Sequence, residues 1–163
     1  MKFSAREDIE APIERVFAAM TDFHAIELAA LRRGVQVSRL DGLATAAAGA
    51  SWDIAFRYRG KVRAMVGTIS ACEPYERLAF DVRAQGYEVS TAFTLLALSR
   101  KRTRITSDMD VRPRSLPARL LLQSARLGRA ALVRRYADRI HLMALELEDR
   151  AGRDDAAAPA ATA

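Results

Sequence analysis

The amino-acid sequence predicts an α+β domain in which a curved antiparallel sheet of six or seven strands wraps around one long C-terminal helix, with two short helices after the first strand. Three observations carry that prediction. Between Val35 and Val111, apolar residues recur at alternate positions in runs separated by short turns, the period of a half-buried strand. From Leu121 onward, Ala125, Gly128, Leu132, Tyr136, Ile140, Met143 and Leu147 recur at steps of three and four, which places them on one helical face. The turns between successive strands are too short for the crossovers that parallel pairing requires.

Each element has its own signal. Phe3 to Glu10 alternates weakly and stops at Ala11-Pro12, which reads as a first strand. Pro12 suits the start of a helix and Glu14 its first turn, where a carboxylate meets the positive end of the helix dipole. Val16, Phe17 and Met20 give that helix an apolar face. Thr21-Asp22 interrupts it and caps a second short helix reaching about Leu31, closed by Arg32-Arg33-Gly34. Val35 to Leu40 is a strand, and a loop follows from Asp41 to Ala50. Trp52, Ile54, Phe56 and Tyr58 then alternate with Asp53, Ala55, Arg57 and Arg59 in the clearest strand of the chain.

Gly60-Lys61 turns into Val62, Ala64, Val66 and Thr68. Glu73-Pro74 breaks the run before Leu78, Phe80 and Val82. Gln85-Gly86 turns into a strand from Tyr87 to Leu98, and Ser99-Arg100-Lys101 into Thr103, Ile105, Ser107, Met109 and Val111. Pro113 and Pro117 bar helix upstream of the last pattern, and Ser115 is its N-cap. That helix would run roughly 50 Å to Arg150 if unbroken and is expected to cover the sheet. Gly128 within it is either a place where it bends or a point of close packing on the sheet. Residues 1–150 therefore read as a single domain. Residues 151–163, rich in alanine and without a period, are expected to be a disordered tail.

Composition bounds the function. A chain of 163 residues can bury a core without covalent staples, and its one cysteine, Cys72, excludes an internal disulfide framework. The charged start Met-Lys-Phe-Ser-Ala-Arg-Glu-Asp lacks the apolar core of a signal peptide, and no apolar run reaches the ~20 residues of a membrane span. A reducing, cytoplasmic setting is expected. The net charge of +6 is unevenly spread. Residues 7–27 hold Glu7, Asp8, Glu10, Glu14, Asp22 and Glu27 against Arg15, whereas residues 112–135 hold Arg112, Arg114, Arg119, Arg126, Arg129, Arg134 and Arg135 with no acid. Such arginines either solubilise a helix or meet an anionic partner. Interleaved with leucine, Arg119, Arg126 and Arg129 would suit peripheral contact with an anionic membrane. Nucleic acid is not expected, because no aromatic–basic repeat accompanies them.

The residues that carry chemistry are sparse. His24 and His141 are the acid–base candidates by their ordinary pKa, His24 near Asp22 and Glu27, His141 beside the apolar stripe. No histidine, cysteine or carboxylate spacing suggests a metal site, and the glycines form no phosphate-binding loop. No catalytic residue is assigned and no cofactor is expected. Tyr58, Thr68, Tyr87, Thr91 and Ser107, with Tyr136 on the helix, are placed on the inward face, where hydroxyls can orient a carbonyl ligand. Asp53, Asp81, Asp108 and Asp110 fall on the opposite parity and are expected to face solvent.

Ile9-Glu10-Ala11-Pro12-Ile13-Glu14-Arg15-Val16-Phe17, followed by Thr21-Asp22-Phe23, resembles the opening of the helix-grip (SRPBCC) superfamily. That superfamily includes START lipid-transfer domains, plant Bet v 1 proteins, aromatic polyketide cyclases and coenzyme Q-binding proteins. The order of elements matches it over residues 1–150. The resemblance implies that apolar ligands sit between the sheet and the long helix. Binding or transport of a small hydrophobic molecule or lipid is the expected function. The alternative is a polyketide cyclase or dehydratase acting in the same cavity. The expected ligand-binding wall comprises Trp52, Phe56, Tyr58, Val66, Phe80, Val82, Tyr87, Phe93, Ile105 and Met109 on the strands and Leu132, Tyr136 and Ile140 on the helix.

Overall fold

In the computed structural model, which describes residues 1–43, 47–58 and 60–157, β1 (Lys2–Ile9) is followed by α1 (Ile13–Thr21) and α2 (Phe23–Arg32). Then come β2 (Gln36–Arg39), β3 (Ser51–Tyr58), β4 (Lys61–Glu73), β5 (Arg77–Ala84), β6 (Tyr87–Ser99) and β7 (Arg102–Pro113). The last two elements are α3 (Leu116–Ala125) and α4 (Arg129–Ala157), joined by a 3₁₀ turn over Arg126–Gly128. Seven strands form one antiparallel sheet in the order β1-β7-β6-β5-β4-β3-β2. β2 to β7 are a meander, and β1 closes on the far side of β7. Arg59, residues 44–46 of the expected loop and residues 158–163 of the expected tail lie outside the described residues.

Register assigns the two faces. One inward row runs Phe3, Met109, Thr91, Phe80, Ile69 across five strands, and the next runs Ala5, Ser107, Phe93, Leu78, Cys72. A β-bulge between Ile69 and Ala71 shifts the parity of β4 by one residue, so Cys72 rather than Ala71 pairs with Leu78. The adjacent outward row is polar: Lys2, Asp110, Ser90, Asp81, Thr68. Asp53, Asp81, Asp108 and Asp110 thus share the outer face, as their parity predicts. Ile9, Val16, Ile69, Leu78 and Ile105 lie at the centre of the core. The buried Thr103 hydroxyl donates to the Ala11 carbonyl at 2.8 Å, which ties the end of β1 to β7.

One register differs from the sequence reading. Val66 and Thr68 were expected to face inward, but in β4 Val66 pairs with Asp53 and Arg83, and Thr68 with Ser51 and Asp81, all on the outer face. The inward residues are Met65, Gly67 and Ile69. The run Val62, Ala64, Val66, Thr68 is apolar enough to be taken for the core side. Pairing with Trp52 and Val82 instead fixes Gly67 inward, and a one-residue slip flips every side chain.

The C-terminal helix differs as well. Ser115 caps α3 by accepting from the Ala118 amide at 3.3 Å, as expected. The helix does not run unbroken, because its hydrogen bonds tighten at Arg126–Gly128, where a glycine weakens helical preference. Leu121 is 64% exposed and Gly128 is exposed, so of the stripe expected before Leu132 only Ala125 is half-buried. In α3 the buried and half-buried positions are Ala118, Leu122 and Ala125. In α4 they include Leu132, Tyr136, Ile140, Met143, Ala144, Leu147 and Ala151. The helical backbone continues past Arg150 to Ala157, beyond the start of the expected tail.

α4 lies chiefly along β1 and α1 rather than across the whole sheet. Tyr136 sits 5.5 Å from the Phe3 ring, His141 Nδ1 is 3.0 Å from Glu7 Oε2, and Glu148 accepts the Glu10 amide at 2.9 Å. The chain passes into the helix from the end of β7, so the helix returns along the β7–β1 edge. α2 packs beside β2, and Phe23 at its start reaches the inner face, its ring 5.0 Å from Trp52 and 6.4 Å from Phe80. No helix among the described residues is long and apolar enough to cross a membrane.

Candidate functional site

Between sheet, α4 and the two short helices lies a cavity of about 330 Å³. Its floor is Leu78 and Phe80 of β5 with Phe93 of β6; its walls are Ala19 and Met20 of α1 and Met143 and Leu147 of α4. α2 contributes Ile26, Ala29, Ala30 and Arg33, whose spacing of three, four and seven puts them on one face. The cavity exists because Ala19, Ala29 and Ala30 are small where α1 and α2 cross the sheet. Phe80 and Phe93 meet edge to face at 6.3 Å, which holds both rings upright on the floor. Polar groups are confined to Arg33, Glu146 and Arg150, and Arg150 reaches Asp22 Oδ2 at 3.4 Å. The volume is at the lower end of small-molecule pockets. Such a site suits a compact apolar body whose polar or anionic group reaches Arg33 or Arg150.

Of the expected wall, Phe80 and Phe93 line this cavity. Trp52 is buried one ring away, behind Phe23. Ile105 and Ile140 are buried, while Leu132, Val82 and Met109 are half-buried outside the cavity lining. Tyr87 is half-buried and its hydroxyl donates to the Ala118 carbonyl at 3.5 Å, bracing α3 instead of meeting a ligand. Phe56 sits beside Gly34 and Gln36 in a separate small depression, and Tyr58 is 53% exposed at the end of β3. Val66 is on the outer face. The expected wall spanned the whole inner face because alternation marks a face and does not show where a helix fails to cover it. The lining residues from α1 and α2 were missed, although the spacing of Ile26, Ala29, Ala30 and Arg33 was a usable signal.

Three polar clusters lie outside the cavity. Tyr136 and Ser107 share a hydroxyl–hydroxyl bond of 2.6 Å, and burial raises the Tyr136 pKa above its ordinary value, so its phenol keeps its proton at neutral pH. Glu7 and His141 meet at the seam of β1 and α4, where the histidine is 55% exposed; His24 is exposed on α2. The third cluster braces β2 and β3. Trp52 Nε1 donates to Glu27 at 2.6 Å, and the Arg39 guanidinium lies 4.7 Å from the Trp52 ring centre. Arg39 donates twice to Asp41, at 2.8 and 3.1 Å, and Asp41 accepts the Ser51 and Leu43 amides.

These donors, Arg39 first, hold the Asp41 carboxyl far below its ordinary 3.8. A carboxyl whose folded pKa is depressed stabilises the fold fully above its unfolded value and loses that contribution as pH falls toward the folded one. Stability is therefore expected to drop below about pH 4. In Asp41→Asn the difference between urea midpoints at neutral and acid pH is expected to shrink. An unchanged difference would show that this pair does not set the acid sensitivity.

A larger groove of about 780 Å³ takes in Phe3, Met109, Thr91 and Phe80 of the inward row, Met109 and Phe80 among them from the expected wall, together with outward Lys2, Ser4, Arg77, Asp81, Ser90, Asp108 and Asp110 and with Arg129 of α4. Ser90 donates to Asp81 at 2.7 Å, and Asp110 binds the N-terminal amine at 3.3 Å. Its lining is more polar than that of the smaller cavity, so an apolar ligand favours the smaller one.

No protein-family profile matches the chain, and no curated protein matches its sequence. Solved structures do share its fold. The protein TTHA0849 from Thermus thermophilus superposes with a TM-score of 0.63 at 16% identity, over 94% of this chain and 99% of its own. The Zhui aromatase/cyclase from Streptomyces sp. R1128 gives 0.61 at 14% identity, over 100% and 99%. Ara h 8.0201 gives 0.58 at 14% identity, over 84% and 97%. Sheet order, paired short helices and long C-terminal helix together identify this chain as a protein of the helix-grip fold.

Proposed function

We propose that this protein binds a small hydrophobic molecule or lipid between its sheet and helices, in a cytoplasmic setting that suits its single cysteine. The observation that carries the reading is the cavity itself. Leu78, Phe80, Phe93, Met20 and Met143 surround 330 Å³ of space, and Arg33, Glu146 and Arg150 are the only polar side chains among its described lining residues. The test uses an apolar naphthalene-type fluorophore and the chain's one tryptophan. Trp52 stands behind Phe23 at the cavity wall, so bound fluorophore is expected to quench its emission with saturation. If saturating fluorophore leaves Trp52 emission unchanged, the reading fails.

A cyclase or dehydratase acting on a polyketide-like substrate is the second reading, supported by the fold shared with the Zhui aromatase/cyclase. Proton transfer there needs a group at the ligand. Among the described lining residues Glu146 is the one carboxylate, and it is exposed at the edge. Conversion of a polyketide-type substrate that Glu146→Gln abolishes would move the protein into the enzyme class.

A further inference from the structure

α3 presents its leucines the wrong way for a helix that serves only a protein core. Ala118, Leu122 and Ala125, at steps of four and three, face inward. Leu116 and Leu120, four apart, lie on the opposite face, and Leu127 in the 3₁₀ turn follows seven residues later. Leu116 is 73%, Leu120 66% and Leu127 95% exposed, and Leu121 on the flank is 64% exposed. An isolated exposed leucine is ordinary, but a row of them along one helix marks a contact surface.

The charges beside that row have one sign. Arg119 and Arg126, seven apart, flank the leucines, and Arg129, Arg134 and Arg135 continue along the start of α4, all exposed. Among the described residues none of these five has a carboxylate within 4.0 Å, whereas Arg102 and Arg104 on β7 pair with Glu10 and Asp8. No Asp or Glu occurs from residue 112 to 135, so the field of this face is uncompensated along the chain. Lys61, Val62 and Arg63, all exposed, lie at the same end of the strands.

We propose that α3 and the turn after it form a peripheral docking surface for an anionic lipid bilayer. Leu116, Leu120 and Leu127 enter the acyl boundary, while Arg119, Arg126 and Arg129 lie at headgroup level, their stems packed beside the leucines. The chain rests on the membrane and does not span it. Charge complementarity selects this partner, because a second copy would oppose its own arginines with like charge. The surface is separate from the cavity, which meets α4 at Met143, Glu146, Leu147 and Arg150, several turns beyond Gly128.

The test is sedimentation of the full chain with phosphatidylcholine vesicles and with mixed phosphatidylcholine–phosphatidylglycerol vesicles. Binding to the anionic vesicles alone is expected at low salt, with release as salt screens the arginines. Leu120→Ser with Leu127→Ser, and separately Arg126→Glu with Arg129→Glu, are each expected to lower partitioning at least tenfold. Both pairs are exposed, so thermal melts should match the parent. No binding at low salt, or equal binding to neutral vesicles, overturns the proposal. So does leucine-independent binding. A dimer that the leucine variant dissociates, or salt-sensitive binding to duplex DNA, without vesicle binding would likewise overturn it.

Discussion

Ile105→Ala is expected to lower the unfolding free energy by about 2–5 kcal/mol, against a total of roughly 5–15 kcal/mol for a domain. Ile105 has no exposed surface and pairs with Leu95 on β6 and Glu7 on β1. It belongs to the same buried cluster as Val16, Ala144 and Leu147, the cluster in which sheet, α1 and α4 meet. Truncation loses the transfer free energy of its methyl and methylene groups and leaves a void that a sheet strand cannot move to fill. Leu127→Ala removes a side chain of similar size that is 95% exposed, and is expected to change stability by less than about 0.5 kcal/mol. Urea denaturation of the two variants checks both values. Equal losses would mean that Ile105 is not enclosed in the core as described.

Ala19→Phe is expected to weaken fluorophore binding at least tenfold, or about 1.4 kcal/mol. Ala19 is buried on α1 and borders the cavity, so an added benzyl group occupies space that the ligand would fill. The cost to folding is expected to be small, because the group fills a void instead of displacing packed neighbours. Phe56→Arg is the control. Phe56 is half-buried on the same sheet face but borders a different depression, and binding should be unchanged. Titration of each variant with the fluorophore separates the cases. If Ala19→Phe binds as the parent does, the ligand is not in this cavity; if Phe56→Arg binds tenfold worse, the binding surface extends along β3.

Fold class was legible because it depends on local regularities. Trp52 to Tyr58 alternates without interruption, Gly60-Lys61 and Gln85-Gly86 punctuate the meander, and Ser115 caps the helix that follows β7, all as the sequence predicts. Alternation also separated the outward aspartates from the inward row through Phe80 and Phe93. It failed at β4, where both parities offer apolar residues; there Gly67 faces inward because Trp52 and Val82 flank it in the register.

The sequence by itself therefore determined the order of elements, the antiparallel sheet, the inward set on most strands and the acid-free arginine segment. Each of these depends on residues close together in the chain. Tertiary structure alone decided where the sheet is left uncovered. α4 lies along the β1–β7 edge and α2 packs Phe23 on Trp52, so the space between them falls at Leu78, Phe80 and Phe93. It also decided that α3 turns Leu120 and Leu127 to solvent. Helical spacing shows which residues share a face, but only the packed neighbours show whether that face is covered.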